Sequence, residues 1–313
     1  MFNFLKIIEI KLVNYRLILN GKSATLPQVR EAVKQVRLSG FSIEVRSTWE
    51  QGDASLFAQE AAQQGIDRVI AAGGDGTLHE VMNGLMQVDQ EQRPEMSIVP
   101  LGTANDFARS CNIPLDTQLA LQLAVQGKPC CIDVGKMNED YFLNMATAGF
   151  GAEVTVSTPT ELKKLLGGAA YSIMGLLLAF NFKPYEGNVR LPNHNYPTTA
   201  VVGAIGNGRQ AGGGKVLAPK AFLDDGLLDM MILHEFSSVD IPQVALELQD
   251  LSEQGQFISY FQTPWVEFEH LRSIPINLDG EARQLTHARV EVIPAALNII
   301  LPENCQLLKN HQT

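Results

Sequence analysis

The densest chemistry in this chain lies in the run Gly73-Gly74-Asp75-Gly76-Thr77. It follows an apolar segment, Arg68–Ala72, and precedes one whose Leu78, Val81, Met82 and Leu85 recur at helical spacing. Glycines here let the backbone come close to a phosphate. The free N–H groups of a helix start would then point at the anion. Asp75 is an acid set among phosphate binders, a placement that suits a cation, its water shell or a hydroxyl. Thr77 can donate to a phosphate oxygen. The competing reading is a tight strand-to-helix turn that is merely rich in glycine.

A second run, Leu101-Gly102-Thr103-Ala104-Asn105-Asp106-Phe107, follows another strand-like segment, Met96–Pro100. Loops at the carboxyl ends of parallel strands line the ligand crevice of open α/β sheets, so the two runs would face one crevice. Gly102 and Thr103 can cradle a nucleotide. Asn105 and Asp106 can orient it or a metal-bound water, and they are equally ordinary helix N-caps. Two further segments, Leu278-Asp279-Gly280-Glu281 and Phe222-Leu223-Asp224-Asp225-Gly226-Leu227, each put paired carboxylates at a turn. Solvated acids are common at such places. The glycine-rich stretch from Gly206 to Lys215, with Arg209, reads either as a mobile loop able to meet an anion or as a plain flexible one.

Other chemistries are missing. The chain has no G-x-x-x-x-G-K-[ST] phosphate loop, no protein-kinase signature set, no H-E-x-x-H and no G-x-S-x-G. Its six histidines show no ligand spacing, and His79, just past the glycine turn, reads as structural or solvated on the outer part of a helix start. Cys111, Cys130, Cys131 and Cys305 contain no C-x-x-C pair. They read as small hydrophobes in a reducing cytosol.

The elements that must carry these loops alternate strand and helix through the first part. Arg16–Leu19 is a short strand ending at Asn20-Gly21. Pro27 opens a helix with Val29, Ala32, Val33 and Val36 on one face. Phe41–Arg46 is a strand, Asp53 caps a helix ending near Gly65, and the two segments before the glycine loops are strands. This rhythm predicts a parallel sheet covered on both faces, an α/β nucleotide-binding domain over residues 1–132. After Ile132 short alternating segments dominate: Tyr141–Ala146, Asn188–Leu191, Ala200–Ile205, Leu227–Leu233, Trp265–Glu269, Ile274–Leu278 and Ala288–Ile293. Only Leu162–Phe182 and Ile241–Leu251 read as helices there. An antiparallel, sandwich-like domain over 133–299 follows, with a cleft between the two.

Of the 313 residues 45% are hydrophobic and 19% charged, an ordinary globular balance, and the net charge of −10 argues against nucleic acid as a partner. Met1–Leu12 lacks the apolar core and cleavage site of a signal peptide. Leu165–Phe182 is uncharged, but its glycines and its length favour a buried or interfacial helix over a membrane span.

The order of Gly73–Thr77, Gly102–Asp106 and Leu278–Glu281 resembles the catalytic-domain pattern of diacylglycerol kinases and sphingosine kinases. Leu17–Lys22, Gly206–Gly214 and Ile293–Leu297 resemble the YegS-type bacterial lipid kinases in particular, and the likeness runs from about Tyr15 onward. The resemblance implies an N-terminal α/β domain and a C-terminal β-sandwich, with the nucleotide in the cleft and the last residues, 300–313, returning to the first domain. It assigns Thr48, Gly74, Asp75, Gly76, Thr77, Leu78, His79, Glu80 and Thr103 to ATP, beside Gly73, Gly102, Asn105 and Asp106 of the same loops. Glu281 becomes the proton acceptor, with Asp279 either raising its proton affinity or facing a metal. A magnesium ion, or calcium in its place, falls to Asp225 with the carbonyls of Phe222 and Leu227.

These readings converge on an ATP- and magnesium-dependent kinase acting on a lipid hydroxyl. Phosphatidylglycerol or diacylglycerol is the expected acceptor. The protein is expected in the cytoplasm, touching the inner membrane face transiently, without an obligate protein partner. The rivals are an NAD kinase or sugar-phosphate kinase sharing the glycine turn, which the LGTANDF and LDGE runs disfavour, and a non-catalytic lipid- or nucleotide-binding regulator.

Overall fold

The computed structural model describes residues 13–148, 184–211, 214–253 and 255–309. The expected helix Leu162–Phe182 lies outside them.

Four parallel strands lead: β1 (Asn14–Leu19), β2 (Ser42–Ser47), β3 (Arg68–Gly73) and β4 (Glu95–Pro100). They lie in the order β4-β3-β1-β2, joined in parallel register throughout. Helices α1 (Pro27–Leu38), α2 (Asp53–Gln63) and α3 (Asp75–Met86) connect them, and α4 (Asp106–Ser110) and α5 (Thr117–Gln126) follow β4. Side-chain alternation divides these strands between two cores. Leu17, Leu19, Ile70 and Val99 pack with Val29, Val33 and Val36 of α1 and Leu121 of α5. Ile18, Val69, Ala71 and Ile98 pack on the opposite face with Ala58 of α2 and Val81, Met82 and Leu85 of α3. The period of two in the strands and of 3.6 in the helices thus gives three layers. α5 has no counterpart in the sequence reading; its start is fixed by Asp116, whose side chain accepts from the Leu119 amide.

Antiparallel strands follow: β5 (Pro129–Met137), β6 (Asp140–Phe142), β7 (Met145–Ala148), β8 (Tyr185–Leu191), β9 (His194–Gly206), the short pair β10 (Gln210–Ala211) and β11 (Lys215–Val216), β12 (Leu228–His234), β13 (Ile258–Thr263), β14 (Trp265–Leu278) and β15 (Glu281–Ile300). Both β7 and β8 pair with β9 and with β14. That closes this part of the sheet on itself around a core of Val189, Ile205, Met230, Val266, Phe268 and Ile276. A short helix, α6 (Ile241–Glu247), covers its outer side with Val244 and Ala245.

Several segments differ from the expected ones for local reasons. Tyr141–Ala146 is two strands, because Leu143 and Asn144 turn inward to meet the Asp279 carboxylate. Trp265–Leu278 is one strand with an irregularity between Glu269 and Ile274. Ala288–Ile293 is the middle of a 20-residue strand. That strand bends between Ile293 and Leu297, where Ala295 takes a left-handed φ of 49°. β15 is the seam of the molecule: it pairs with β14 at one end and with β5 and β4 at the other, so 13 strands form one sheet. Beyond it, Leu307 and Leu308 pack in the same core as Ile18 and Val81.

Candidate active site

The carboxyl ends of β1 to β4 place four loops side by side. The Asn20 amide N–H donates to Ala72, that of Thr48 to Leu19, and that of Leu101 to Gly73, over 2.9, 2.9 and 2.8 Å. Side chains tie the loops further. The Asn20 Nδ2 donates to the Thr77 hydroxyl at 2.9 Å, and the Gly21 N–H donates to the Thr48 hydroxyl at 3.1 Å. Each hydroxyl oxygen is held by a donor, which leaves its own proton available for another acceptor. Asn20 reads in the sequence only as a strand end within the Leu17–Lys22 run, with no site role; its signal is the same strand-end position that picks out Gly73.

The two glycine loops touch backbone to backbone. A Cβ on Gly102 would stand 2.5 Å from the Cα of Gly74 and 2.8 Å from the Asn105 Oδ1. A side chain is thus excluded at Gly102, and one at Gly74 would stand a tight 3.2 Å from the Gly102 Cα. Asn105 occupies the N-cap position of α4 with a φ of 52°, but its side chain makes no capping bond and folds back on its own loop. Its Oδ1 accepts from the Gly102 N–H at 3.0 Å and its Nδ2 donates to the Gly102 carbonyl at 2.8 Å. Gly102, Thr103 and Ala104 are thereby left as an exposed backbone arch beside the start of α3.

Asp75 joins the loops electrostatically. Its carboxylate accepts from the backbone N–H groups of Phe107, Asp106 and Asn105. Burial pushes its proton affinity up, the neighbouring Asp106 carboxylate adds to this, and the three amides oppose both. Asp106 itself accepts from the Gly214 N–H at 3.0 Å. Two acids at one phosphate-type turn form a negative locus that a cation would relieve.

One stripe of α3 meets the second half of the chain. Gly76, His79 and Asn83 follow each other at helical spacing on one face. A Cβ on Gly76 would lie 4.0 Å from the Glu281 Oε1. Asn83 holds the backbone of Tyr141 on both sides: its Oδ1 accepts from the Tyr141 N–H at 3.0 Å and its Nδ2 donates to the Tyr141 carbonyl at 3.1 Å. His79 lies between these contacts and is buried, not on the outer surface as the sequence reading had it. Burial follows from the packing of β6 against α3, which no local pattern announces.

Asp279, for which both raising the Glu281 proton affinity and facing a metal were open, is drawn into backbone contacts instead. Its carboxylate accepts from the N–H groups of Leu143, Asn144 and Met145 at 2.6, 3.0 and 2.8 Å. Its own N–H donates to the Met145 carbonyl at 3.1 Å, and its φ is 48°. The carboxylate is drawn inward, where desolvation raises its proton affinity and the Met145, Leu143 and Asn144 amides and the field of His79 lower it. Asp279 is a clamp that fastens the Glu281 turn to the start of β7. Charge-assisted hydrogen bonds of this kind contribute about 1.5–3 kcal/mol each.

Other expected ligands are also committed elsewhere. Glu80 accepts from the Gly52 N–H at 3.1 Å, at the start of α2, and Leu78 packs in the core. Neither side chain is aimed at the glycine crossing. Arg209 is not a mobile anion binder: it donates to the Ala221 carbonyl at 2.9 Å and stacks 5.0 Å over Phe222.

Phe222 to Leu227 form a turn held by the tail. Lys309 N–H donates to the Asp224 Oδ1 at 2.7 Å, and Gly226 N–H to the Asp133 Oδ2 at 2.7 Å. The Asp225 side chain is only 2% exposed, its Oδ1 accepts from the Leu227 N–H at 3.1 Å, and its Oδ2 has no hydrogen-bond partner. The nearest cation is the Lys309 Nζ at 3.9 Å. Burial raises the Asp225 proton affinity. An orphaned carboxylate oxygen fits a hard cation, although the described residues contain no group of three or more His, Cys, Asp or Glu side chains arranged for a metal.

Comparison with known proteins identifies the family. Residues 14–137 match the diacylglycerol kinase catalytic domain, and residues 144–301 match the YegS C-terminal NAD kinase beta sandwich-like domain. The chain is 50% identical over 297 residues to a Chromohalobacter salexigens protein named "Probable lipid kinase YegS-like", spanning 95% of each chain. It is 46% identical to a Shewanella frigidimarina protein of the same name, over 95% of this chain and 96% of that one. A crystal structure from Bacillus anthracis str. Sterne, described as a candidate diacylglycerol kinase, superposes with a TM-score of 0.77 at 27% identity, covering 96% of this chain and 99% of that one. With near-complete coverage at half identity, and with both halves matched in order, the chain belongs to the YegS-like lipid kinase family.

Proposed function

We propose that this protein transfers the γ-phosphoryl group of ATP to a hydroxyl of a membrane lipid, phosphatidylglycerol or diacylglycerol. The observation that carries the reading is the position of Glu281. Its carboxylate faces Gly76, at the helix start that ends the glycine turn. A hydroxyl lying between the two would have a proton acceptor on one side and the transferable phosphate on the other.

Phosphoryl transfer is largely a matter of positioning and charge stabilisation. The backbone arch of Gly102–Ala104 and the N-terminal amides of α3 supply donors for the phosphates. Thr77, Thr48 and Thr103 add hydroxyls. Asp75 and Asp106 suit a magnesium ion carried with the triphosphate, whose chemistry would be to neutralise charge on the phosphate oxygens. Asp225, with the carbonyls of Phe222 and Leu227, suits a second, structural ion that would satisfy the orphaned Oδ2. Glu281 takes the hydroxyl proton.

Inside the closed part of the sheet a small apolar cavity of about 60 Å³ is walled by Val189, Val202, Ile232, Val266, Phe268 and Ile276; it is too small for an acyl chain, so the acyl chains of the substrate are assigned to the membrane side of the site. Among the described residues no helix is long and apolar enough to cross a membrane. The reading therefore places the protein at a membrane surface while it collects substrate.

The test is direct. The protein, labelled ATP and magnesium are incubated with phosphatidylglycerol, diacylglycerol, sphingosine and NAD, and the products are separated. Label in a phosphorylated glycerolipid is the expected result. Label in NADP alone, or in none of the four, would overturn it.

A further inference from the structure

We propose that Trp49 is the platform on which the base of the nucleotide stacks, so that the edge of the parallel sheet selects a purine nucleoside triphosphate over a bare polyphosphate. The inference rests on the reading of this site as an ATP site and adds the residue that holds the base.

The order of the strands fixes the direction in which a nucleotide lies. The glycine loops end β3 and β4, and β15 joins the half of the chain that carries Glu281 to the β4 side of the sheet. With phosphates on those loops and the γ end facing Glu281, the base is directed the other way, across β1 toward β2. Neighbouring strands are about 4.8 Å apart, so the end of β2 stands on the order of 10 Å from the end of β3, within reach of a nucleotide base. Trp49 is the second residue beyond β2.

The loop that carries Trp49 is tied on both sides to the glycine turn and its helix. Before Trp49, the Thr48 N–H donates to the Leu19 carbonyl at 2.9 Å and the Thr48 hydroxyl accepts from the Gly21 N–H at 3.1 Å. The adjoining Asn20 donates to the Thr77 hydroxyl at 2.9 Å. After Trp49, the Gly52 N–H donates to the Glu80 Oε2 at 3.1 Å, and Glu80 stands one helical turn beyond Gly76 on α3. Glu80 thereby positions the turn. Between these ties the Asp53 Oδ2 accepts from the N–H groups of Trp49 and Glu50 at 2.6 and 3.0 Å. This firmly held backbone presents an indole that is 96% exposed. Single exposed apolar side chains such as Leu38 and Leu271 are ordinary. Tryptophan is highly buried on average, because its ring has so much area to cover. The other tryptophan, Trp265, is partly covered, with the Arg289 guanidinium 4.6 Å over its ring. A base gives the Trp49 face the same kind of cover. Such stacking accepts any base, so it favours nucleotides over polyphosphate and discriminates little between adenine and guanine.

Calorimetry with ATP and with inorganic tripolyphosphate, both in magnesium, tests the assignment on the full chain. Trp49→Ala is expected to bind ATP at least about tenfold more weakly and to bind tripolyphosphate as the parent does. Trp49→Phe, which keeps a ring, recovers most of the ATP affinity. In a Trp265→Phe background Trp49 is the single tryptophan; there ATP quenches the emission and tripolyphosphate does not. The inference is overturned if Trp49→Ala binds ATP like the parent. It is equally overturned if that variant loses ATP and tripolyphosphate to the same extent, which would make Trp49 a support for the loops. A parent protein that binds neither ligand overturns the ATP reading and this inference together. A parent protein that binds ATP through Trp49 but phosphorylates no lipid upholds this inference and overturns the lipid reading alone.

Discussion

The Glu281 carboxylate faces Gly76 across the junction of the two halves of the chain, with its Oε1 4.0 Å from the point where a Gly76 side chain would begin. The two residues are over two hundred positions apart. The absence of a side chain at Gly76 and the turn that projects Glu281 together leave one space between the start of α3 and a carboxylate.

Glu281→Gln is therefore expected to bind ATP nearly as the parent does and to lose lipid phosphorylation by at least about a hundredfold, the lower end of what a general base contributes. Nucleotide affinity and turnover are measured on one preparation. Full turnover would remove Glu281 from the proton-transfer step.

Gly102→Ala tests the crossing of the glycine loops. The new methyl would meet the Gly74 Cα at 2.5 Å, and backbone cannot yield as a flexible side chain does. Overpacking of this kind costs about 1–3 kcal/mol. Lower thermal stability together with weakened ATP binding is the expected pair of results. Unchanged ATP affinity would separate the arch from the nucleotide site.

Asp75→Asn is expected to remove most activity and also to reduce stability by about 1–3 kcal/mol, because the new amide would turn donors toward the N–H groups of residues 105–107. Urea unfolding and turnover are the paired measurements. Near-normal turnover would take Asp75 out of the reaction.

Asp225→Ala addresses the second ion. Loss of a buried carboxylate with an orphaned oxygen should abolish one of two magnesium-binding events seen by calorimetry, while ATP still binds. A single binding event, identical in parent and variant, would discard the ion at this turn.

Stability should fall on mild acidification through two histidines. Burial holds His234 and His270 below the ordinary value of 6.5. The unfolded chain then binds more protons than the folded one below that value, so their contribution is complete above pH 6.5 and is lost as pH falls toward the folded values. Asp75, Asp225, Asp229 and Asp279, raised by burial, act in the opposite direction. The readout is accordingly a difference: urea unfolding at pH 7.5 and 5.5, comparing the parent with His234→Gln/His270→Gln. A smaller acid loss in the double variant is expected, and an equal loss would assign the effect to other groups.

Local order in the chain determined the loops that carry chemistry. Short continuous apolar strands ending in Gly73–Thr77 and Leu101–Asp106, with helical spacing after the first, mark strand-loop-helix units wherever they occur, because backbone geometry and side-chain periodicity are short-range properties. The inward faces of α1 and α3 were legible for the same reason: Val29, Val33, Val36, Val81 and Leu85 are core residues in the folded chain. The roles of single polar residues were not legible. Asp279 and Glu281 look alike in sequence, two acids around one glycine. Only the approach of Leu143–Met145, more than 130 positions away, takes the first into an amide clamp and leaves the second facing Gly76. Likewise His79 became an interior residue because β6 packs on α3, and Asn105 at the N-cap of α4 spends its side chain on closing its own loop. Side-chain partners of this kind depend on which distant amides and carbonyls the fold brings within hydrogen-bond reach, a three-dimensional fact that spacing along the chain does not contain.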